Sequence, residues 1–300
     1  MNYVKQHKWL RITLRTVLVI LAVYVGLIVL GTILAMDLPR VPVKETPAAV
    51  GLEYQNVSFP SLNSSVILKG WFLPASGPNA IIIVHGGYQN RVDDLTDTLD
   101  LTRNMVNRGY NILLFDQRGR GESGGKARSL MHEDKDIGGA VDYLESLGYP
   151  DNRIGIIGYC SGAASTTLFA SRKNVGGIVL DGCFAELRGM IIRQALEKGI
   201  PEWILNMFYD GLKVSTRILY GFKPFNPVEL VPQISSPILF IHEQNDILVT
   251  AAETQTLIKA AINPLNQSWE IPGVKHSEAY RYIPGEYIDR LDGFFKTTLK

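Results

Sequence analysis

The stretch RIGIIGYCSGAAS, residues 153–165, joins an apolar run to a glycine-flanked turn and a segment of small residues. Such a run is typical of a buried parallel strand, and the small residues after it predict a helix. Gly158 and Gly162 stand two residues before and two residues after Cys160. This is the spacing of the nucleophile elbow, G-x-S-x-G, in which the central residue occupies a strained turn that leaves no room for neighbouring side chains. The stretch therefore predicts a strand–turn–helix unit with Cys160 at its apex.

Two other interpretations of the turn stay open. Ser161 is the alternative nucleophile, although it would place Tyr159 and Ala163 at the crowded positions. A structural role is also open to Cys160, because a buried thiol packs as a small hydrophobic group. We prefer Cys160 as the nucleophile, since the predicted helix would begin beside its sulfur and a nearby base would hold it as thiolate.

The partners of this thiol follow later in the chain. Asp246 ends LFIHEQND, residues 239–246, and His276 lies in GVKHSEAY, residues 273–280. The order nucleophile, acid, histidine predicts that Asp246 orients His276 and that His276 is the base. Asp181, at the end of the preceding predicted strand, is the alternative acid.

Two backbone N–H groups are expected to bind the oxyanion of the reaction. One belongs to Ser161, and the other to Gly87 in VHGGYQNR, residues 84–91, with Tyr88 as a further candidate. The sequence gives no indication of a metal site or a cofactor. It has no P-loop, and its one G-x-G-x-x-G pattern, at residues 119–124, is a loop in the wrong place for a dinucleotide-binding site.

Strands and helices alternate from residue 50 onward, including a polar helix at about 92–107 and a strand in QSWEIPGVKH, residues 267–276. This alternation predicts an α/β domain with a mostly parallel sheet flanked by helices. A long insertion at about residues 185–233 interrupts this alternation and predicts a helical cap over the strand ends. Its apolar side chains are the candidate lining of a substrate pocket, namely Trp203, Phe208, Tyr209 and Leu212. Contact between its apolar faces and a bilayer is the alternative.

The N-terminal segment predicts a membrane anchor. Residues 17–36, VLVILAVYVGLIVLGTILAM, are uncharged and long enough to span a bilayer as a helix. A cleaved signal peptide is the alternative, but its apolar region is normally shorter. Residues 1–16 carry four basic residues and no acidic one, which predicts a cytoplasmic N-terminus and an extracytoplasmic domain. Residues 37–49 contain three prolines and predict an extended linker to the domain at 50–300.

Charge and cysteine content narrow the function classes. The 300 residues include 30 basic and 29 acidic side chains, a balance that gives no support to a nucleic-acid binder. The four basic residues before residue 37 leave a net charge of −3 on the remainder. Two cysteines are too few for a disulfide framework, although a single disulfide between Cys160 and Cys183 is conceivable.

Taken together, these stretches and FDQRGRGESGG at 115–125 resemble the α/β-hydrolase superfamily from about residue 50 to the C-terminus. Within it the sequence is similar to bacterial single-pass hydrolases related to the serine aminopeptidase and acyl-esterase branches. It departs at Cys160, where serine is usual, and at Glu243, where glycine is usual.

The resemblance implies an enzyme that cleaves acyl ester, thioester or lactone bonds of a small molecule through a Cys–Asp–His triad and a thioester intermediate. It implies no cofactor. Acyl transfer by the same triad is one alternative. A non-catalytic, membrane-tethered binding protein with the same fold is the other.

Overall fold

The computed structural model describes residues 2–300, with side chains from residue 7 onward. Met1 and the side chain of Lys5, which belong to the predicted basic tail, lie outside the described residues. The helices are α1 (Asn2–Met36), α2 (Thr98–Asn107), α3 (Glu133–Ser146), α4 (Ser161–Ala170), α5 (Leu187–Glu197), α6 (Glu202–Tyr220), α7 (Pro227–Leu230), α8 (Ala251–Ala260), α9 (Ala279–Tyr282) and α10 (Pro284–Thr298). The strands are β1 (Gln55–Pro60), β2 (Ile67–Leu73), β3 (Ala80–Val84), β4 (Asn111–Phe115), β5 (Ile154–Tyr159), β6 (Gly177–Asp181), β7 (Ile238–Glu243) and β8 (Gln267–Ile271).

The eight strands form one sheet in the order β1-β2-β4-β3-β5-β6-β7-β8. β1 pairs antiparallel with β2, and β2 pairs antiparallel with β4. The other neighbours in this order, from β4 through β3 to β8, pair in parallel. The predicted α/β fold with a mostly parallel sheet is therefore confirmed. In this order β5 lies near the centre, so the carboxyl ends of β3, β5, β6 and β7 meet at one edge, where ligands bind in such sheets.

Both faces of the sheet are covered, which explains why five of the parallel strands are mostly apolar. β3, β4, β5, β6 and β7 are buried at every residue. Leu144 of α3 and Phe169 of α4 belong to the core on one face, and Met105 of α2 and Phe294 of α10 belong to the core on the other. The core therefore fixes β5 and the residue that follows it.

The helix predicted over 92–107 begins only at Thr98. Side chains hold the preceding residues in turns: Asn90 accepts a hydrogen bond from the Val92 N–H, and Asp93 accepts one from the Leu95 N–H. Local bonds of this kind compete with helix formation and are not visible in apolar periodicity. The segment QSWEIPGVKH, at 267–276, is a strand only as far as Ile271.

The helix α1 contains a segment, His7–Met36, that is long and apolar enough to cross a membrane, by length and composition. The chain after it is extended but fixed to the domain. Arg40 donates hydrogen bonds to the Gly121 and Ser123 carbonyls, each at 2.8 Å, and Asp37 pairs with Arg128. The predicted linker is therefore held against the domain by side-chain contacts.

Close packing at the sheet yields a stability test with a matched control. A Cβ added at Gly155 in β5 would lie 2.6 Å from the Phe295 ring, whereas one added at Gly293 in α10 meets no atom within 4 Å. We expect Gly155→Ala to lower the free energy of unfolding by about 1–3 kcal/mol through overpacking. Gly293→Ala should raise it by up to about 1 kcal/mol through helix propensity. Denaturant unfolding of the full chain in detergent measures both, and equal effects would contradict this packing.

Candidate active site

Cys160 occupies the turn between β5 and α4 with φ +51° and ψ −116°, a conformation that side-chain-bearing residues rarely adopt. Glycines make the turn possible. A Cβ at Gly158 would lie 2.8 Å from the Ala163 Cα, and one at Gly162 would lie 2.5 Å from the His85 carbonyl oxygen. The strand, turn and helix therefore have the arrangement that the glycine spacing predicts, with Cys160 at the apex.

The Cys160 N–H donates to the Asp181 carbonyl at 2.9 Å, which fixes the turn to the end of β6. The side chain is partly exposed, whereas Cys183 is buried, and both thiols are free. Burial raises the pKa of Cys183 well above its ordinary value. Cys183 is thus an inert thiol, and Cys160 is the accessible one.

His276 and Asp246 are directly bonded at this edge of the sheet. The Nδ1 atom of His276 lies 2.5 Å from the Asp246 Oδ2 atom. The other carboxylate oxygen accepts hydrogen bonds from the Leu248 and Val249 N–H groups, at 2.7 and 2.8 Å. Asp246 is therefore fixed as an ionised acceptor, and it sets the tautomer and orientation of the imidazole.

The second ring nitrogen of His276, Nε2, is buried and has no hydrogen-bond partner among the described residues. The ring lies close enough to Cys160 for their charges to interact. Burial alone would lower the pKa of His276, but the Cys160 thiolate and the bond to Asp246 outweigh burial and raise the pKa well above its ordinary value. The surroundings of His276 therefore favour its imidazolium form.

Asp181, the alternative acid, points elsewhere. Its Oδ2 atom accepts a hydrogen bond of 2.6 Å from Tyr287, whose hydroxyl lies 3.1 Å from that of Tyr159. Burial raises the pKa of Asp181, and the bonds to Glu243 and Tyr287 oppose this effect. The carboxylate that accepts the hydrogen bond of His276 Nδ1 is that of Asp246.

Glu243 lies behind His276 with a fully buried side chain. Burial, followed by the charge of Asp181, raises the pKa of Glu243 well above its ordinary value. The raised pKa favours the protonated form of Glu243 over a second charge beside Asp246.

The donor atoms of Glu243, Asp246 and His276 lie within 4.8 Å of one another, which is compatible with metal ligands. The Nδ1 atom of His276 and the Oδ2 atom of Asp246 are already bonded to each other, and burial raises the pKa of Glu243 well above its ordinary value. The cluster therefore fits a hydrogen-bonded acid–imidazole pair better than a cation site, which would need ionised carboxylates.

One of the predicted oxyanion donors is occupied by a neighbouring side chain. The Gly87 N–H donates to the Ser161 Oγ atom at 2.7 Å. The Ser161 hydroxyl thus accepts the hydrogen bond that the sequence predicted for a substrate oxygen. Arg120 fixes this loop by donating to the Gly87 carbonyl from Nε and Nη2, at 3.1 and 2.8 Å. Tyr88, the further candidate donor, has a half-exposed side chain.

Sequence reasoning missed two charged residues that shape the site. Arg120 is buried next to the loop that carries Gly87, and it forms a salt bridge with Glu133 at 3.2 Å. Asp93 is buried and interacts electrostatically with His276, and burial, with the neighbouring Asp94, raises its pKa to about 6. The stretch at 115–125 contains Arg120 but does not show where its side chain points, and no pattern marks Asp93.

His85 and His242 are not bases for this thiol. His85 accepts a hydrogen bond from the Gln117 N–H at 3.2 Å, and burial followed by the Arg120 charge lowers its pKa to about 3. His242 is buried within β7. His276 is therefore the histidine that faces Cys160.

The predicted pocket residues lie in α6, and two of them face α1. Phe208 stacks on Tyr24 with ring centroids 5.1 Å apart, and Leu212 lies against Gly31. Tyr209 receives the Arg188 guanidinium over its ring, while Trp203 is largely exposed. The packing of Phe208 and Leu212 against α1 corrects the expectation that their side chains line a pocket, and the role of the other two stays a prediction.

The model of the family described as serine aminopeptidase, S33, matches residues 77–223. The chain is 27% identical to the uncharacterised protein YqkD of Bacillus subtilis over 239 residues, 75% of this chain and 76% of that protein. Among solved structures, the esterase Pf2001 of Pyrococcus furiosus superposes with a TM-score of 0.74 at 25% identity, covering 88% of this chain and all of that one. The protein PA2218 of Pseudomonas aeruginosa superposes with a TM-score of 0.62 at 21% identity, covering 88% and 99%.

The sheet topology and these likenesses identify the chain as an esterase-like enzyme of the α/β-hydrolase superfamily. The family match includes Gly87, Cys160 and Asp181 but ends before Asp246 and His276. The roles of these last two residues therefore rest on their geometry.

The neutral state of Glu243 predicts a pH-dependent stability difference. An acid with a raised pKa binds a proton on folding, so its contribution to stability falls as pH rises above the ordinary value of 4.5. Glu243→Gln removes this proton uptake. The melting temperature of the wild type relative to Glu243→Gln should therefore fall as the pH rises above about 4.5.

The control is Glu270→Gln, the same substitution at an exposed position of the neighbouring strand β8. A difference between wild type and Glu243→Gln that is constant over this pH range would show that Glu243 is ionised.

Proposed function

We propose that this chain is an ester hydrolase that acts by covalent catalysis, with Cys160 as nucleophile, His276 as base and Asp246 as the orienting acid. The observation that carries the proposal is the arrangement of Cys160 in a strained turn beside a histidine whose Nδ1 is bonded to a buried carboxylate. The likeness to the Pyrococcus esterase supports the choice of ester substrates.

In the first half of the reaction, His276 Nε2 accepts the Cys160 proton and the sulfur attacks the ester carbonyl. The negatively charged oxygen of the tetrahedral intermediate accepts hydrogen bonds from the N–H groups of Gly87 and Ser161. The intermediate collapses as the C–O bond breaks, and the leaving alkoxide takes the proton from His276. The product is an alcohol and a thioester on Cys160.

In the second half, water attacks the thioester carbonyl while His276 accepts one of its protons. The second intermediate expels the Cys160 sulfur, which leaves as thiolate or recovers the proton from His276. The carboxylic acid product is then released. Asp246 remains ionised throughout and stabilises the imidazolium.

The proposal includes a membrane anchor. Residues 17–36 would span the bilayer, the basic N-terminus would lie in the cytoplasm and the catalytic domain would lie outside it. Protease accessibility of the domain in intact cells reports this orientation.

Transfer of the acyl group to an alcohol or amine instead of water uses the same first half. Product analysis with an added acceptor distinguishes the two reactions. No contact in the described part of the chain favours an acceptor other than water, so hydrolysis is the primary proposal.

Replacing each residue of the turn separately identifies the nucleophile. Cys160→Ala should lower the turnover of a short acyl ester by about a thousandfold or more, because the covalent step is lost. Ser161→Ala should keep the rate within about tenfold, since it removes only the hydroxyl that occupies the Gly87 N–H. If instead Ser161→Ala abolished turnover and Cys160→Ala did not, Ser161 would be the nucleophile.

Thiol alkylation separates an activated cysteine from a structural one without a substrate. Because the pKa of His276 is raised, an imidazolium faces the sulfur, and iodoacetamide should modify Cys160 already at about pH 6. His276→Gln should slow this reaction by roughly tenfold. Mass spectrometry after timed quenching measures the rate.

Cys183→Ala is the control and should alkylate as the wild type does, since Cys183 is buried. Equal rates for wild type and His276→Gln would favour the structural interpretation of Cys160.

A further inference from the structure

α6 runs alongside the apolar part of α1. The Tyr24 hydroxyl donates to the Met207 carbonyl at 2.8 Å. A Cβ added at Gly211 would lie 2.3 Å from the Ile28 Cδ1 atom, so the absence of a side chain at Gly211 allows the two helices to approach closely. Contacts advance along both helices in the same direction, from Tyr24 to Gly31 on α1, where Gly31 meets Leu212.

All these contacts fall within the predicted span at 17–36. Tyr24 lies 12 residues before Met36, which is about 18 Å along a helix. The hydrocarbon core of a bilayer is about 30 Å thick, so a spanning α1 carries the first half of α6 below the headgroup level. A water-exposed α6 is therefore incompatible with α1 in a membrane.

The outer surface of α6 is suited to that position. Trp203, Met207, Val214 and Ile218 follow one another at intervals of four, seven and four residues, which places them on one side of the helix. We call these four residues the α6 stripe. Trp203 and Ile218 are 66% and 76% exposed, and the other two are at least half exposed. An apolar row of this kind is costly in water and marks a contact surface.

The position of the stripe on the helix indicates a bilayer as its partner. At 100° per residue it lies between the residues that contact α1 and the exposed charged residues, which are Glu202, Asp210, Lys213 and Arg217. The stripe therefore continues the exposed apolar surface of α1, while the charged side faces away from α1. The apolar side of such a helix is suited to contact with acyl chains.

The cap that contains α6 is bonded to the loop that follows β7 and carries Asp246. Arg193 of α5 donates to the Leu248 carbonyl at 2.6 Å and pairs with Glu253. Leu248 in turn donates to Asp246. A membrane-inserted α6 would thus bring the loop that carries Asp246 close to the lipid.

We infer that α6 is embedded in the outer part of the bilayer beside α1, with the α6 stripe against the acyl chains, and that the substrates are acyl esters dissolved in the membrane. The insertion of α6 rests on its contacts with α1 and on the proposed membrane span of α1. The substrate class rests on the proposed ester hydrolysis.

The insertion of α6 is tested with the full chain reconstituted in phosphatidylcholine vesicles, with or without bromine on the acyl chains. The difference in emission between wild type and Trp203→Phe isolates Trp203 from the other tryptophans. We expect bromine to quench this difference by roughly half or more, as for an indole among acyl chains. Quenching by water-soluble acrylamide but not by bromine would overturn the insertion.

The substrate class is tested with a short water-soluble ester and with a long-chain ester incorporated in the vesicles. Val214→Glu with Ile218→Glu should lower kcat/KM for the vesicle ester by roughly tenfold or more and leave the soluble ester within about twofold. Lys213→Glu with Arg217→Glu, on the charged side of the same helix, is the control and should affect neither ester by more than about twofold.

Equal rates of the two variants on the vesicle ester would overturn the substrate class. If the double glutamate variant also loses activity on the soluble ester, Val214→Gln with Ile218→Gln replaces it. The quantity compared with the wild type is then the ratio of kcat/KM for the vesicle ester to kcat/KM for the soluble ester. Failure of the wild type to cleave either ester would refute the proposed hydrolysis, and the Trp203 measurement would still decide the insertion of α6.

Discussion

The turn at Cys160 is the constraint on which the rest of the site depends. Its backbone, at φ +51°, is held between the centre of the sheet and the first turn of α4. A conformation of this kind costs about 1–3 kcal/mol and persists only where the surroundings impose it. Here β5 is paired on both sides, and Gly158 and Gly162 allow the two elements to approach. The result is a sulfur at the N-terminus of a helix, beside the strand ends that carry its partners.

Several carboxyl groups surround His276, and Asp246 is the one that is hydrogen-bonded to its Nδ1 atom. Burial and the charge of Asp181 raise the pKa of Glu243 well above its ordinary value, which favours the neutral form of that side chain. Gly182 lets the imidazole approach the backbone, since a Cβ there would lie 2.8 Å from the His276 Cε1 atom. The glutamate that departs from the superfamily's usual glycine is thus accommodated as a protonated acid.

The sequence predicted the parts of the structure that depend on local pattern. The glycine spacing around Cys160 predicts the turn, and the order of Asp246 and His276 along parallel strands places them at one edge. Contacts between distant elements were not accessible in this way. Phe208 and Leu212 are apolar, and an apolar pattern does not tell whether a helix face lines a pocket or packs on α1. The late start of α2 depends on side-chain hydrogen bonds at Asn90 and Asp93, which have no periodicity.

The role of Cys160 is tested most directly by trapping the acyl-enzyme. The full chain is mixed with an activated acyl ester and quenched in acid within one turnover, and the acyl group is located by fragmentation mass spectrometry. Our account predicts an acyl group on Cys160 that neutral hydroxylamine removes, as expected for a thioester. An acyl group on Ser161 that resists neutral hydroxylamine, or turnover without any acylated residue, would contradict it.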